Sequence, residues 1–283
     1  MIVDVHTHAW DCRSHIDPGF LQDLQNSRPG VRIDIGVEFD AYLKAMEPCG
    51  RAICFGLRGL LTGLRVPNKF VAGFVARAPE KLIGFMALDP NESRWKDDFE
   101  QSRQDLHLRG VKLGPIYAGF DPTDPKLDWL YANCIRHNLP VLFHMGTSFV
   151  RLGPLGCSRP GLIDTVAGRF PDLKAVIAHL GHPWEGEAIA VIRKHPNVYA
   201  DVSALFGRPW QFYNSMMLAQ EYGVLHKLLF GSDYPFTTPA ASLEGLRAIN
   251  RFTQGTSLPC VSLQAIEEII HRDTIHLLWG EPL

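Results

Sequence analysis

The sequence predicts an α/β fold, a (β/α)8 TIM barrel with a C-terminal closing helix. Eight short apolar segments alternate with stretches of helical periodicity, and these segments are too continuously apolar for strands that expose one face. No glycine-rich phosphate-binding loop follows any of them, which removes the main support for a nucleotide-binding open sheet. Eight strand-helix units therefore favour closure into a barrel.

The predicted strands are short and rich in Val, Ile, Leu and Phe. They cover residues 2–8, 51–57, 81–89, 110–114, 140–146, 174–181, 197–204 and 227–233.

Helices are predicted between the strands because apolar residues recur there at three- and four-residue spacing. The clearest examples are residues 37–50, 68–80, 125–138, 161–172 and 244–255. A last stretch, residues 262–280, has the same spacing and is predicted to close the barrel after the eighth strand.

Composition indicates a globular protein with a large core, since 46% of the 283 residues are hydrophobic and 20% are charged. We find no linker, repeat or low-complexity segment, so residues 1–283 are expected to form a single domain. The net charge of -2 gives no electrostatic reason to expect a nucleic acid or a membrane surface as partner.

The expected location is the cytoplasm. No apolar run approaches the roughly 18 to 20 residues of a membrane span, and no basic segment precedes an apolar signal region. The six cysteines contain no CxxC pair, so a zinc ribbon, a redox dithiol and a disulfide framework are all disfavoured.

Ionisable residues lie at the carboxyl ends of these otherwise apolar strands, which is where barrels of this kind build their chemistry. His6 and His8 end strand one, His144 ends strand five, His179 ends strand six and Asp233 ends strand eight. Burying so many ionisable groups costs several kcal/mol each without compensation. A bound cation is the simplest compensation.

Spacing supports this interpretation. Asp4, His6 and His8 are predicted to share one face of strand one, with Val3 and Val5 on the other. Residues two apart on a strand lie about 6.6 Å apart and point the same way, so two imidazoles can bind one ion.

The same parity is expected to bring later residues to the barrel mouth. His144 shares a face with Leu142 and His179 shares one with Ile177. In strand eight Asp233 shares a face with Leu229.

The segments DVHTH, GVKLGP, PVLFHMG, VIAHLGHP, NVYADVS and LLFGSDYP, taken in order, resemble the amidohydrolase superfamily. The similarity is to its amidohydrolase-2 branch, which includes aminocarboxymuconate-semialdehyde decarboxylase and related hydrolases. It covers nearly the whole chain. The closing helix departs from the branch at residues 273–277, away from these motifs.

The resemblance implies one divalent metal ion held by His6, His8, His144 and Asp233. Nitrogen and oxygen donors suit Zn²⁺ first, and Mn²⁺, Fe²⁺ or Co²⁺ also. Relatives of this kind are commonly dimers, so a homodimer is an expectation as well.

Two residues are expected to be catalytic. Asp233 would take a proton from a metal-activated water and pass it to the leaving group, and His179 would polarise a substrate carbonyl or hydrogen-bond that water.

Lys112, in strand four, has three interpretations. It is a free ammonium that anchors a substrate carboxylate, a carboxylated lysine that bridges two metal ions, or a member of a structural ion pair. The first is preferred.

Two loop residues are further candidates for substrate binding. Arg58, after strand two, suits a carboxylate, and Trp10, after strand one, suits a flat molecule.

The sequence therefore predicts a metal-dependent hydrolase that acts on an amide, lactone or ester-like bond of a small, acidic molecule. The alternative is a nonoxidative decarboxylase of a small aromatic or unsaturated acid. A metal-free barrel that only binds a ligand is disfavoured, because all the expected ligand positions are filled.

Overall fold

The computed structural model describes residues 1–31 and 33–280, and its central feature is a sheet of eight parallel strands. These are β1 (Val3–His8), β2 (Arg51–Phe55), β3 (Leu82–Leu88), β4 (Val111–Leu113), β5 (Val141–Phe143), β6 (Ala175–Ile177), β7 (Val198–Asp201) and β8 (Leu228–Leu229).

The strands pair in sequence order, and backbone hydrogen bonds bring the last one against the first. Val5 donates to the carbonyl of Phe230 at 3.0 Å, just beyond the end of β8, and Asp233 donates to the carbonyl of His6 at 2.8 Å. The sheet thus approaches closure, and the predicted barrel is confirmed.

Helices lie between the strands and, for α11 to α13, after the last strand. They are α1 (Cys12–His15), α2 (Pro18–Asn26), α3 (Phe39–Ala45), α4 (Asn68–Val75), α5 (Trp95–Gln104), α6 (Pro115–Ala118), α7 (Asp128–Arg136), α8 (Leu162–Arg169), α9 (Glu185–Lys194), α10 (Pro209–Glu221), α11 (Pro239–Arg247), α12 (Leu263–Ile270) and α13 (Thr274–Trp279). Among the described residues, none of these helices has both the length and the apolar character required to cross a membrane.

All eight predicted strands are present, but most are shorter than the apolar segments suggest. The segment 174–181, for example, is extended only through Ile177 and continues as a turn, Ala178–Gly181, in which His179 and Leu180 have left-handed backbone. The extra residues form the loops at the carboxyl ends of the strands, where the candidate site lies.

The predicted closing helix is two helices. Asp273 interrupts the segment and caps the start of α13, because its carboxylate accepts a hydrogen bond from the backbone N–H of His276. Ile275 and Leu278 pack into the barrel interior, and each such burial stabilises the fold by roughly 1.5 to 3 kcal/mol. Trp279 donates to the carbonyl of Arg109, which precedes β4, so α13 closes the amino end of the barrel.

At the opposite end, α2 is attached to the loop after β2. This loop forms a small antiparallel ribbon of Arg58–Gly59 with Leu64–Arg65. Ile16 pairs with Leu64, and Arg65 forms an ion pair with Asp17 at 2.5 Å. These contacts place α2 beside the mouth of the barrel.

Candidate active site

A distortion in β1 aims the first two histidines. The Asp4 carboxylate accepts the backbone N–H groups of His6 and Ser232, both at 3.0 Å, and the register between β1 and β2 shifts between Asp4 and Thr7. Such a bulge places successive side chains on the same face of a strand.

The shared face predicted for β1 is therefore wrong in one respect. Val5 packs in the barrel interior, and His6 and His8 also turn inward, where both rings contact Phe55. The Asp4 carboxylate instead accepts hydrogen bonds from the backbone of His6 in β1 and of Ser232 beyond β8. Its carboxylate, by holding the bulge, permits the two histidines to reach the interior.

His6 and His8 converge on Asp233. The Nε2 atoms of His6 and His8 lie 3.4 and 3.1 Å from Oδ1 of Asp233. Nδ1 of His6 lies 2.9 Å from a carboxylate oxygen of Asp201, the last residue of β7. The strand-eight aspartate and the strand-one histidines thus form one cluster.

His179 reaches the same cluster by an unexpected route. Val176 and Ala178 are the interior residues of this segment, so the face shared with Ile177 was predicted wrongly. The backbone of His179 is left-handed, with φ 54°, and this turns the side chain into the site. Nδ1 of His179 then bonds Oγ of Ser203 at 2.8 Å.

His144 follows β5 and faces His179, with ring centroids 5.0 Å apart. Its nitrogens make only long contacts, 3.3 Å from Nε2 to the Thr147 carbonyl and 3.5 Å to the Tyr117 hydroxyl. His144 therefore lies at the edge of the cluster with its ring nitrogens weakly engaged.

The donors fit a divalent metal ion. Ligand atoms of His6, His179 and Asp233 all lie within 4.8 Å of one another. Nδ1 is held by Asp201 in His6 and by Ser203 in His179, so Nε2 is the nitrogen of each ring that remains for an ion or a substrate.

Electrostatics point the same way. Burial lowers the pKa of His6 and His179 well below the ordinary value, and lowers that of His144 to about 3, so the imidazoles are neutral and able to ligate. Burial raises the pKa of Asp233 well above its ordinary value. A cation would offset the cost of burying that carboxylate.

Lys112 lies beneath the cluster. It is fully buried, with Nζ 3.4 Å from Nε2 of His6 and 4.6 Å from the centre of the Phe55 ring. Burial lowers its pKa to about 7. The structure thus places Lys112 behind His6, outside the lining of the cavity described next.

A cavity of about 790 Å³ opens at the carboxyl ends of the strands. Apolar and aromatic side chains form much of its wall, and polar groups are grouped at its base and rim. Its lining includes His8, Phe20, Leu24, Arg28, Leu57, Tyr117, His144, Phe149, His179, His182, Phe206, Arg208, Asp233 and Phe236.

The two predicted substrate-binding loop residues are not part of this lining. Arg58 forms ion pairs with Glu92 and Asp98. Trp10 is buried, stacks on His8 with centroids 4.7 Å apart, and donates its indole N–H to a backbone carbonyl. Arg58 is thus a structural ion-pair residue, and Trp10 supports His8 from behind.

Sequence reasoning missed two arginines that do line the cavity, Arg28 and Arg208. Arg28 follows α2, and among the described residues its guanidinium has no hydrogen-bond or ion-pair partner; Arg208 donates to the carbonyl of Ala204. Arg28 was detectable only as a charged residue in the long loop after strand one. Its nearness to the site depends on where α2 packs.

Comparison with known proteins gives one family and a set of similar structures. The sequence model of the family described as amidohydrolase matches residues 3–258. No curated protein matches the sequence.

Three solved structures illustrate the structural similarity. An uncharacterised TIM-barrel protein from Bordetella bronchiseptica has a TM-score of 0.75 at 22% identity, with 99% of each chain covered. A probable 2-pyrone-4,6-dicarboxylic acid hydrolase from Acinetobacter baumannii, with citric acid bound, has a TM-score of 0.67 at 15% identity, with 99% of each chain covered. A dihydroxybenzoic acid decarboxylase from Polaromonas sp. JS666, with manganese and 2-nitroresorcinol bound, has a TM-score of 0.65 at 14% identity, covering 98% of this chain and 96% of the other.

Proposed function

The chain belongs to the amidohydrolase family and is an enzyme, and on this premise we propose that it is a metal-dependent hydrolase of a small acidic molecule. The bond cleaved is an amide, lactone or ester-like bond. The observation that carries the proposal is the convergence of buried histidines and Asp233 at the base of one cavity, with Asp201 and Ser203 fixing the imidazoles.

The residues proposed to hold the ion are His6, His8, His144 and Asp233. This assignment leaves Nε2 of His179 for the substrate. Zn²⁺ is the first choice for three imidazoles and one carboxylate, and Mn²⁺ is the second; the Polaromonas decarboxylase binds manganese. One ion per chain is expected, with Lys112 uncarboxylated.

The bound cation supplies Lewis-acid chemistry, because it polarises a carbonyl oxygen and makes water more acidic. The protein supplies the proton transfers. The Asp233 carboxylate takes a proton from the attacking water and returns it to the leaving oxygen or nitrogen. His179, held through Nδ1 by Ser203, hydrogen-bonds the substrate carbonyl and stabilises the charge that develops there.

Arg28 and Arg208 are proposed to bind a carboxylate of the substrate. Both line the cavity that holds Asp233 at its base. Guanidinium groups bind carboxylates with two parallel hydrogen bonds. The aromatic wall formed by Phe20, Phe149 and other side chains suits a flat molecular body.

The second candidate is nonoxidative decarboxylation of a small aromatic or unsaturated acid. It would use the same donors and the same arginines, with a proton replacing the carboxylate that leaves as CO₂. The arginine-lined cavity favours an acid as substrate in either reaction, and a decarboxylase is among the similar structures.

Elemental analysis of the purified protein, followed by product analysis, tests the proposal. Lactones, cyclic amides and hydroxybenzoic acids are incubated with the metal-loaded enzyme in H₂¹⁸O. A hydrolase incorporates one ¹⁸O into the new carboxylate. Release of CO₂ without incorporation of water oxygen would show a decarboxylase, and unchanged activity of Asp233→Asn would exclude the proposed chemistry altogether.

A reducing compartment such as the cytoplasm is the proposed location. All six cysteines are free thiols in the structure. Burial raises the pKa of the Cys54 thiol to about 12, so this thiol stays protonated and unreactive.

A further inference from the structure

One histidine of the cavity lining has no role in the proposed metal site or in the proposed proton transfers. His182 lies in the loop between the turn after β6 and helix α9, and its buried ring lines the cavity wall. The proposed proton transfers do not use it. A buried imidazole beside a substrate cavity requires its own account.

The ring of His182 is oriented by a carboxylate. Nδ1 lies 2.6 Å from Oε1 of Glu185, the first residue of α9, and Ser215 of α10 donates its hydroxyl to the same oxygen at 3.0 Å. Burial opposes ionisation of Glu185, but the hydrogen bond from His182 and the backbone N–H hold the pKa of Glu185 below its ordinary value.

This contact fixes the tautomer. An ionised carboxylate only accepts hydrogen bonds, so Nδ1 of His182 is the donor in this contact. Nε2, the other ring nitrogen, is then the acceptor position of the imidazole.

The backbone of His182 is also fixed. Its carbonyl accepts the N–H of Thr147 at 2.7 Å, from the loop after β5. Gly146 packs against the same carbonyl with φ +109°, and a Cβ at that position would lie 2.3 Å from the oxygen. Two loops and two helices therefore hold the imidazole in one position.

We propose that His182 contacts the substrate through Nε2 and accepts a hydrogen bond from a hydroxyl or amide N–H of that molecule. Glu185 is the positioning residue. Arg28 and Arg208 can only donate hydrogen bonds, so His182 adds a complementary polar contact to the cavity wall. The inference rests on the proposed function in one respect, that the molecule in this cavity is the substrate.

Matched probes test this inference without turnover. The 2-, 3- and 4-hydroxybenzoates and the corresponding methoxybenzoates are titrated calorimetrically at pH 8 into the metal-loaded wild type. A methoxy oxygen cannot donate, so for at least one isomer the hydroxyl compound should bind about five- to tenfold more tightly, the effect of one buried hydrogen bond.

Three variants locate the effect. His182→Phe should abolish the preference for the hydroxyl compound, and Glu185→Gln should reduce it. His195→Phe is the control, because His195 forms a similar 2.6 Å contact with Asp164 but is not part of the cavity lining. It should retain the wild-type preference. NMR of ¹⁵N-imidazole-labelled protein should show the Nδ1-protonated tautomer of His182 and its loss in Glu185→Gln.

The inference is wrong if the preference survives in His182→Phe, or if the wild type binds none of the probes or shows no preference. A purely structural histidine would lower the melting temperature on substitution and leave the affinity ratio unchanged. Binding that depends on His182 without cleavage of any tested bond would retain the inference and remove the proposed hydrolysis. Hydrolysis of a tested bond without the affinity difference would retain the proposed hydrolysis and exclude the proposed contact of His182.

Discussion

Oδ2 of Asp201 lies 2.9 Å from Nδ1 of His6, and the pair joins the end of β7 to β1 inside the barrel. The other carboxylate oxygen accepts the backbone N–H of His179 at 3.0 Å and the hydroxyl of Ser203, which in turn contacts the His179 ring. One buried carboxylate therefore orients two imidazoles of the candidate active site, the proposed metal ligand His6 and the proposed catalytic residue His179.

Asp201→Asn should lower the affinity for Zn²⁺ by about 10- to 100-fold, because an amide orients the His6 imidazole less strongly than a carboxylate does. Competition with a chromogenic chelator measures this affinity. Asp164→Asn, which alters a carboxylate outside the site, should bind zinc like the wild type. Equal zinc affinity in Asp201→Asn and wild type would exclude a positioning role for Asp201.

His144→Ala should lower the metal content of the purified protein, whereas His179→Ala should keep the ion and lose at least about 100-fold in kcat. His144 has free coordination capacity, since its ring nitrogens make only long contacts. Plasma mass spectrometry of the two variants measures bound metal. Loss of the ion from His179→Ala alone would place His179 among the ligands, in the triad with His6 and Asp233.

Arg28→Met should weaken binding of 4-hydroxybenzoate by about tenfold, as expected for loss of a charge-assisted hydrogen bond. Arg58→Met is the matched control and should leave the affinity within about twofold, because Arg58 pairs with Glu92 and Asp98. Calorimetry provides both values. An equal loss in the two variants would contradict a specific carboxylate contact at Arg28.

Asp23→Asn should release α2 from the cavity rim. The Asp23 carboxylate accepts the backbone N–H of Arg151 at 3.0 Å and its guanidinium at 2.7 Å, and the two bonds hold the pKa of Asp23 below its ordinary value. Hydrogen exchange of residues 18–26 should accelerate in the variant, while exchange in α8, outside the rim, should match the wild type.

The pH dependence of this contact has a definite sign. Because the pKa of Asp23 is lowered, its stabilising effect is complete above the ordinary pKa of about 3.9 and is lost as the pH falls through the lowered value. The difference in melting temperature between wild type and Asp23→Asn should therefore be larger at pH 7 than at pH 3. A difference that grows on acidification would contradict the assignment.

Gly146→Ala should destabilise the protein by about 2 kcal/mol or more, because its positive φ strains an alanine and the new Cβ meets the His182 carbonyl. Gly168→Ala, in the last turn of α8 with no atom within 4 Å of the new Cβ, should instead stabilise by roughly 0.5 to 1 kcal/mol. Urea denaturation measures both free energies of unfolding. An equal change in the free energy of unfolding for the two variants would show that the loops carrying Gly146 and His182 can move apart without loss of stability.

The sequence was sufficient to predict the barrel and the residues of the cluster. Short, continuously apolar segments between helical patterns specify strands, and polar residues at the ends of these segments are visible in the sequence, so His6, His144 and Asp233 were predicted at one end of the barrel. Each of these signals is local in the sequence, and the barrel topology brings the strand ends, with their polar residues, to one face of the barrel.

The errors arose where long-range contacts decide the geometry. The bulge of β1 depends on Asp4 reaching Ser232, and the left-handed backbone of His179 breaks the alternation on which the parity argument rests. Arg58 was predicted to bind a substrate carboxylate because its actual partner, Glu92, lies 34 residues away in the sequence and cannot be recognised from it. Similarly, Arg28 reaches the cavity because Arg151 holds α2.

The hydrogen bond between the Asp233 amide and the His6 carbonyl also has a consequence for synthesis of the protein. The residues that meet there are separated by 226 intervening positions, so a ribosome must have released nearly the whole barrel before the two can pair. A nascent chain arrested before residue 233 therefore lacks the carboxylate that completes the site. Completion of the site should therefore wait for residue 233, and a zinc-binding signal from stalled chains of increasing length should appear only once that residue has left the ribosomal tunnel.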